Sequence, residues 1–272
     1  MSRTVCITGA GGLIGSYLVK AAPGDWTVQA VNQTGFGAFF QKSPPDLLVH
    51  CAAISKSAAC EKQPDLARKV NVELTEMLCE FARDVPLFFF STDLVFDGTK
   101  GNYSESEVVN PLTVYGRTKA EAERIVLSNP RHTVIRLSLN AGISPTGDRA
   151  FNEEIHNAWR RGETLNLFTD EFRNPIPAVV TARAVWELAQ RAATGLFHLG
   201  GAEKLSRREI GQLLARRWKD VQPRMNPASV RDYKGPTRSP DASMDCAKVQ
   251  KLLSFPLPRF TEWLRANPDE PI

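Results

Sequence analysis

The chain has 272 residues, 42% hydrophobic and 24% charged, with a formal charge of +4 at pH 7. That length buries a sizeable core. The mild, scattered charge excludes a nucleic-acid stripe: Arg160-Arg161, Arg207-Arg208 and Arg216-Arg217 read as solvated helix faces. No apolar run approaches a membrane span and no leader pattern opens the chain, while Cys6, Cys51, Cys60, Cys79 and Cys246 form an odd set without C-x-x-C spacing. The expectation is a reduced, cytoplasmic protein with no membrane or nucleic-acid partner and no metal site.

In chain order, a short apolar run ending at Thr8 breaks into Gly9-Ala10-Gly11-Gly12-Leu13-Ile14-Gly15. A helix then runs to about Ala22, with Leu13, Ile14, Tyr17 and Leu18 at helical spacing. Glycine at 9, 12 and 15 permits a tight turn, lets a phosphate approach without a Cβ in the way, and lets the helix pack closely on the strand. The helix N-terminus offers free N–H groups and a positive dipole end to a pyrophosphate. Such a trio also suits a plain structural turn, so the rest of the chain has to decide.

Trp26 to Val31 reads as a second strand, ending where an NAD-binding unit carries an acidic residue for the ribose 2′-hydroxyl. Here the chain reads Asn32-Gln33-Thr34. The missing carboxylate favours NADP(H) over NAD(H), with Lys42 and Arg3 as candidate counter-charges. Gly35 to Phe40 supplies at most one short helix before the strand Leu47 to Ala52, so the sheet is expected to lack a strand on this side. His50 reads as a hydrogen-bonded structural histidine. A helix from Pro64 to Arg83 places Leu66, Val70, Leu74, Met77, Leu78 and Phe81 on one face.

The strand Leu87 to Phe90 runs out at Ser91-Thr92-Asp93, where ligands sit in open α/β sheets. After a polar loop, the helix Val114 to Leu127 carries Tyr115 and Lys119, four apart and so on one face. His132 to Leu137 is a further strand. Beyond it, helices are expected at Phe151 to Arg161 and Ala182 to Ala193, a strand at Leu196 to Leu199, and a capping box at Ser206 and Glu209 opening a helix to about Trp218. Two short helices, Cys246 to Leu253 and Phe260 to Ala266, follow Pro- and Gly-rich linkers. The fold class is α/β: a Rossmann-type doubly wound parallel sheet with a smaller mixed C-terminal substrate lobe. Residues 1–140 form the cofactor domain, its core extending into 175–200, and 141–272 mainly form the interleaved lobe.

Carbonyl reduction needs a held cofactor, an acid for the developing alkoxide and a donor that orients the oxygen. Tyr115 is the candidate acid. Lys119 is the cation that favours its phenolate and reaches the cofactor ribose, and Thr92 is the second donor, with Ser91 competing.

The Thr8-Gly9-x-x-Gly12-x-x-Gly15 turn, Ser91-Thr92-Asp93-Leu94-Val95-Phe96-Asp97-Gly98, Asn110-Pro111-Leu112 and Tyr115-Gly116-Arg117-Thr118-Lys119 together resemble an extended short-chain dehydrogenase/reductase. More narrowly, the chain is similar to the dTDP-4-dehydrorhamnose reductase family over most of its length. His50-Cys51-Ala52-Ala53, Arg173-Asn174-Pro175, Gly195-Leu196-Phe197-His198 and Ser239-Pro240-Asp241-Ala242-Ser243 have counterparts there. The resemblance implies NADPH-dependent reduction of a keto group on a nucleotide-linked sugar, with Thr92, Tyr115 and Lys119 as the catalytic trio. It implies that Gly9, Gly12, Leu13, Ile14, Gly15, Asn32, Ala52 and Ala53, with Tyr115 and Lys119, line the cofactor. Ser55, Asp93, Arg173 and Arg238 are the substrate-side candidates, the arginines for a diphosphate. A homodimer is also expected. One departure stands out: the family's Arg-Thr-Ser-Trp after this strand is here Arg136-Leu137-Ser138-Leu139-Asn140. The alternatives are an epimerase of the same superfamily or a non-catalytic NADP-binding regulatory subunit, the part played by the methionine adenosyltransferase β-subunit, a relative of this family.

Overall fold

The computed structural model describes residues 2–31 and 44–272. The first strands are β1 (Arg3–Thr8), β2 (Trp26–Val31), β3 (Leu47–His50), β4 (Leu87–Thr92) and β5 (Thr133–Leu137). The later ones are β6 (Asn140–Ala141), β7 (Leu165–Phe168), β8 (Phe172–Arg173), β9 (Ile176–Pro177), β10 (Gly195–Leu199), β11 (Leu205–Ser206) and β12 (Met225–Ala228). Six of them form the main sheet in the order β10-β5-β4-β3-β1-β2, and every neighbouring pair is parallel. The chain leaves β1 for β2 on one side and returns to β3 on the other. The crevice off the carboxyl ends of β1 and β3 is therefore the topological switch point. Asn32, Lys42 and the stretch read as one short helix lie outside the described residues, and β2 is the edge of the described sheet.

Helices cover both faces, which is why the central strands read as almost unbroken apolar runs. On one face, Val5, Ile7, Val49, Phe88, Phe90 and Ile135 pack with α1 (Leu13–Lys20) and α7 (Ala178–Gln190). There the Trp186 indole donates to the Leu18 carbonyl at 3.1 Å and lies 5.5 Å from the Trp26 ring. On the other, Cys6, Leu48, Leu87, Phe89 and Val134 pack with α4 (Leu74–Phe81) and α5 (Val114–Leu127). Val5, Ile7 and Cys6 thus divide by strand alternation. A separate core of Phe151, Trp159, Ile210 and Phe260 builds the C-terminal lobe from α6 (Phe151–Arg160), α8 (Arg207–Arg217) and α10 (Phe260–Ala266).

Several boundaries differ from the sequence reading. The long helix from Pro64 is unbroken to Phe81 but not uniform: α3 (Pro64–Arg68) passes through a π-type turn, Lys69–Glu73, into α4, and a short additional helix, α2 (Ser57–Lys62), precedes it. Helix α7 starts at Ala178, four residues earlier than expected, because Val179 and Val180 weaken the helical signal by their branching without preventing the helix. The helix expected from Cys246 shrinks to α9 (Ala247–Gln250). The lobe also pairs β8 with β11, β7 with β12 and β6 with β9, in strands of two to four residues, too short for periodicity to announce.

Candidate active site

The glycine turn is packed as tightly as a phosphate cradle requires. Gly9 has φ +68, and a Cβ there would lie 2.6 Å from the backbone nitrogen of Ala52. At Gly15 a Cβ would meet the Gly9 carbonyl oxygen at 2.3 Å, so the first turn of α1 sits directly on the loop. Gly12 caps α1 in extended geometry with no side-chain hydrogen bond, which leaves the first-turn N–H groups free for an anion. Gly9, Gly12, Leu13, Ile14, Gly15, Cys51 and Ala53 line the cleft, while Ala52 backs the turn from behind. These features fit a dinucleotide: a crowded, side-chain-free loop followed by uncapped donors.

Arg3 cannot serve as the counter-charge to a 2′-phosphate. The parallel register pairs Arg3 with Trp26 at the start of β2, the opposite end from Val31, and its guanidinium is bound to Asp25 and stacked on Trp26.

Two buried polar residues tie the crevice together. His50 lies 2.7 Å from the Thr8 hydroxyl through Nδ1 and 3.1 Å from the Thr75 hydroxyl through Nε2. Thr75 already donates to the Asn71 carbonyl, so it accepts from Nε2–H, and Nδ1 accepts from Thr8. Burial, then the nearby Lys119, lowers the His50 pKa to about 3, so the ring stays neutral. It is structural, as its surroundings in the sequence suggested. Asn71, which the sequence reading missed, sits in the π-type turn. Its amide grips both backbone groups of Ile54 at 2.9 and 3.1 Å and donates to Thr118 at 3.1 Å, joining the loop after β3 to α5. The only sequence signal was a polar residue interrupting an apolar helical face.

Helix α5 is held against the end of β4 by a glycine. A Cβ on Gly116 would meet the Leu94 carbonyl oxygen at 2.3 Å, and Thr113 caps the helix by accepting from the Gly116 N–H at 3.1 Å. That contact brings Tyr115 into the cleft that Thr92 also lines. Thr92 and Ser91 point to opposite sides of β4. The Ser91 hydroxyl is buried without a partner, whereas the Thr92 hydroxyl donates to the Asp93 carboxylate at 3.3 Å and accepts from the Leu94 N–H at 3.2 Å. Lys119 is 3% exposed and its Nζ lies 3.8 Å from the centre of the Phe89 ring.

The electrostatics differ from expectation. Burial, reinforced by the Asp93 carboxylate, pushes the Tyr115 phenol well above its ordinary pKa. Lys119 is itself desolvated, its pKa lowered to about 7 against the partial opposition of Glu123. The phenol is therefore a protonated donor at neutral pH.

Beyond the trio the cleft widens over Ser55, Asp93, Leu139, Arg173 and Arg238, so the four substrate-side candidates converge. Asp93 accepts from Ser138 at 2.9 Å and lies 3.5 Å from the Arg173 guanidinium; burial raises its pKa against the pull of Arg173. Glu171 organises the arginines. Arg238 binds it in two-pronged fashion at 2.5 and 3.1 Å, and Arg173 approaches to 3.4 Å. Burial would raise the Glu171 carboxyl, but Arg173, Arg238 and Arg207 together hold it below the usual range.

Arg207 is a correction. Read as a solvated face, it opens α8 at the cleft wall over the Phe151 ring at 5.4 Å. Arg217 is half-buried rather than free on a solvated face: it donates to the Leu264 and Asn267 carbonyls at 3.0 Å. Arg149 adds a further cation at the mouth. Among the described residues no group of three metal-ligating side chains converges, and no helix is long and apolar enough to cross a membrane.

The family model described as RmlD substrate binding domain matches residues 3–270. The chain belongs to this family. Methionine adenosyltransferase 2 subunit beta of Xenopus laevis is 27% identical, over 92% of this chain and 83% of that protein. The dTDP-4-dehydrorhamnose reductase of Sinorhizobium fredii is 27% identical, over 96% of this chain and 95% of its own length. The crystal structure of dTDP-4-dehydrorhamnose reductase from Bacillus anthracis, in complex with NADP, superposes with a TM-score of 0.89 at 20% identity. It covers 98% of both chains, so the Rossmann-type fold is shared throughout.

Proposed function

We propose that this chain is an NADP(H)-dependent reductase of a keto group on a nucleotide-linked sugar. The observation that carries the reading is that Thr92, Tyr115 and Lys119 open into one cleft with the uncapped glycine-turn helix, while Arg173, Arg207 and Arg238 wall its outer part. The family membership and the reductase from Sinorhizobium fredii support it.

The nicotinamide supplies a hydride to the carbonyl carbon when bound. The first-turn N–H groups of α1 hold the pyrophosphate and Gly9 leaves room for it. Tyr115 donates its proton to the carbonyl oxygen, and Thr92 orients that oxygen by a second hydrogen bond. Lys119 stabilises the phenolate left behind and reaches the cofactor ribose. Arg238 and Arg207 face the diphosphate of the sugar nucleotide, with Arg173 fixing Asp93 and Glu171 behind them. The 2′-phosphate preference rests on the missing acidic residue after β2. We assign residues 1–140, extended by 175–200, to cofactor binding and most of 141–272 to the substrate. Exposed Leu66 and Met77 on α3 and α4 support a homodimer, which sedimentation reads.

A second reading keeps cofactor binding without turnover. Leu139 stands where the family's tryptophan is expected, and a methionine adenosyltransferase β-subunit is among the relatives. Oxidation of NADPH by a panel of nucleotide-linked keto sugars separates the two: turnover of any member supports the reductase, and tight binding without turnover supports the regulatory subunit.

A further inference from the structure

One polar group in the cleft is left over from the chemistry above. The Ser91 hydroxyl is buried and, among the described residues, has no hydrogen-bond partner, although the residue lines the cleft beside the glycine turn. Ser91 is only 4% exposed, so bulk water does not satisfy it either. A buried hydroxyl without a partner destabilises the folded chain, and a ligand that supplies the missing bond binds the more tightly for it.

Its place on β4 identifies that ligand. Strand alternation puts Ser91 on the same face as Phe89, the face that α5 covers. The Lys119 ammonium lies 3.8 Å from the centre of the Phe89 ring, so hydroxyl and ammonium share this face, with Ser91 nearer the carboxyl end of the strand. Neighbouring protein groups are committed elsewhere. Arg136, the cross-strand partner of Ser91 on β5, gives Nε and Nη2 to the Glu123 carboxylate at 2.9 and 2.7 Å, and its Nη1 meets His198 at 3.2 Å. Thr92 is bonded to Asp93 and to the Leu94 N–H.

The cleft has two parts, and Ser91 belongs to one of them. Thr92, Tyr115 and Ser138 line both the inner part over the glycine turn and the outer part walled by arginines. Ser91 and Lys119, with Cys51 and Ala53, line the inner part alone. We propose that Ser91 is a cofactor-binding residue: its hydroxyl pairs with the nicotinamide nucleoside of NADP(H), beside Lys119, and takes no part in holding the sugar. A serine hydroxyl both donates and accepts, so a ribose hydroxyl or the carboxamide satisfies it. The proposal rests on the reading that the inner cleft holds a nicotinamide cofactor.

The test compares wild type with Ser91→Ala in the full chain, by calorimetric titration with NADPH and with 2′,5′-ADP, which lacks the nicotinamide nucleoside, and by thermal melting without ligand. The expected result is that NADPH binds about three- to tenfold more weakly, the worth of one hydrogen bond, while 2′,5′-ADP affinity is unchanged. Tm of the free protein does not fall, because alanine removes a group that makes no bond there. Should Ser91→Ala fail to fold, Ser91→Cys keeps a polar atom of similar size and, with a weakly bonding thiol, gives the same selective loss of NADPH affinity. NADPH affinity equal to wild type in a folded variant overturns the proposal. So does an equal loss for both ligands, which puts the effect on the adenosine side they share. Wild type that binds neither NADPH nor NADH sinks the cofactor reading and this proposal with it, whereas wild type that binds without turning over any sugar leaves the Ser91 result intact.

Discussion

The two halves of the cleft are held by different physics. On the cofactor side, the backbone does the shaping: Gly9, Gly15 and Gly116 each occupy a spot where a Cβ would fall within 2.6 Å of a main-chain atom. On the substrate side, side-chain charge does it: Glu171 gathers arginines from β8, α8 and the loop at residue 238, segments that meet only in the folded lobe. The first half is rigid because sterics leave no alternative. The second stays together through a buried carboxylate, and its arginines keep charge to offer a ligand.

Predictions that probe this contrast run from large effects to small. Tyr115→Phe keeps the shape and removes the proton donor, so kcat falls by about 10²–10⁴-fold while NADPH affinity, read by fluorescence, is retained. Glu171→Gln removes the charge that two hydrogen-bonded or paired guanidiniums share in a buried site, and urea denaturation shows a loss of about 3–5 kcal/mol. Gly9→Ala forces a side chain into a positive-φ position against Ala52; a loss of about 1–3 kcal/mol in stability accompanies weakened cofactor binding. Arg238→Ala leaves NADPH binding unchanged and raises KM for the sugar nucleotide by about tenfold, the worth of one charged hydrogen bond.

The smallest effect at neutral pH is a stability slope in acid. His50 and His198 have folded pKa values lowered to about 3, so the unfolded chain takes up protons below about pH 6.5 while the native one does not. Stability is therefore present above that pH and is lost as pH falls through the window down to about 3. Tm measured at pH 7 and at pH 5 drops between the two, and His50→Asn flattens the slope.

The same contrast explains what was legible in the chain. The sheet, the glycine turn and the Tyr115 and Lys119 pair follow from short-range spacing, since apolar runs and i, i+4 pairs are local facts. Arg173 and Arg238 could be named, yet their common partner Glu171 and the third cation Arg207 could not. A doublet on an amphipathic helix looks the same whether its first residue faces water or a cleft. Asn71 escaped for a related reason: a π-type turn leaves no mark in a helical pattern, and its partners, Ile54 and Thr118, lie 17 and 47 residues away. The direction of the Tyr115 shift was hidden too, because it depends on how deeply the phenol itself is buried and on the Asp93 carboxylate near it.

The central claim is that one cleft joins a dinucleotide cradle to a proton-donating tyrosine and a diphosphate-binding wall. It is tested most directly by titrating the purified protein with NADPH by fluorescence, then adding nucleotide-linked 4-keto sugars and following oxidation of the cofactor. The account predicts saturable binding and oxidation with at least one sugar nucleotide, abolished in Tyr115→Phe. Failure to bind NADPH or NADH, or oxidation that persists unchanged in Tyr115→Phe, would contradict it.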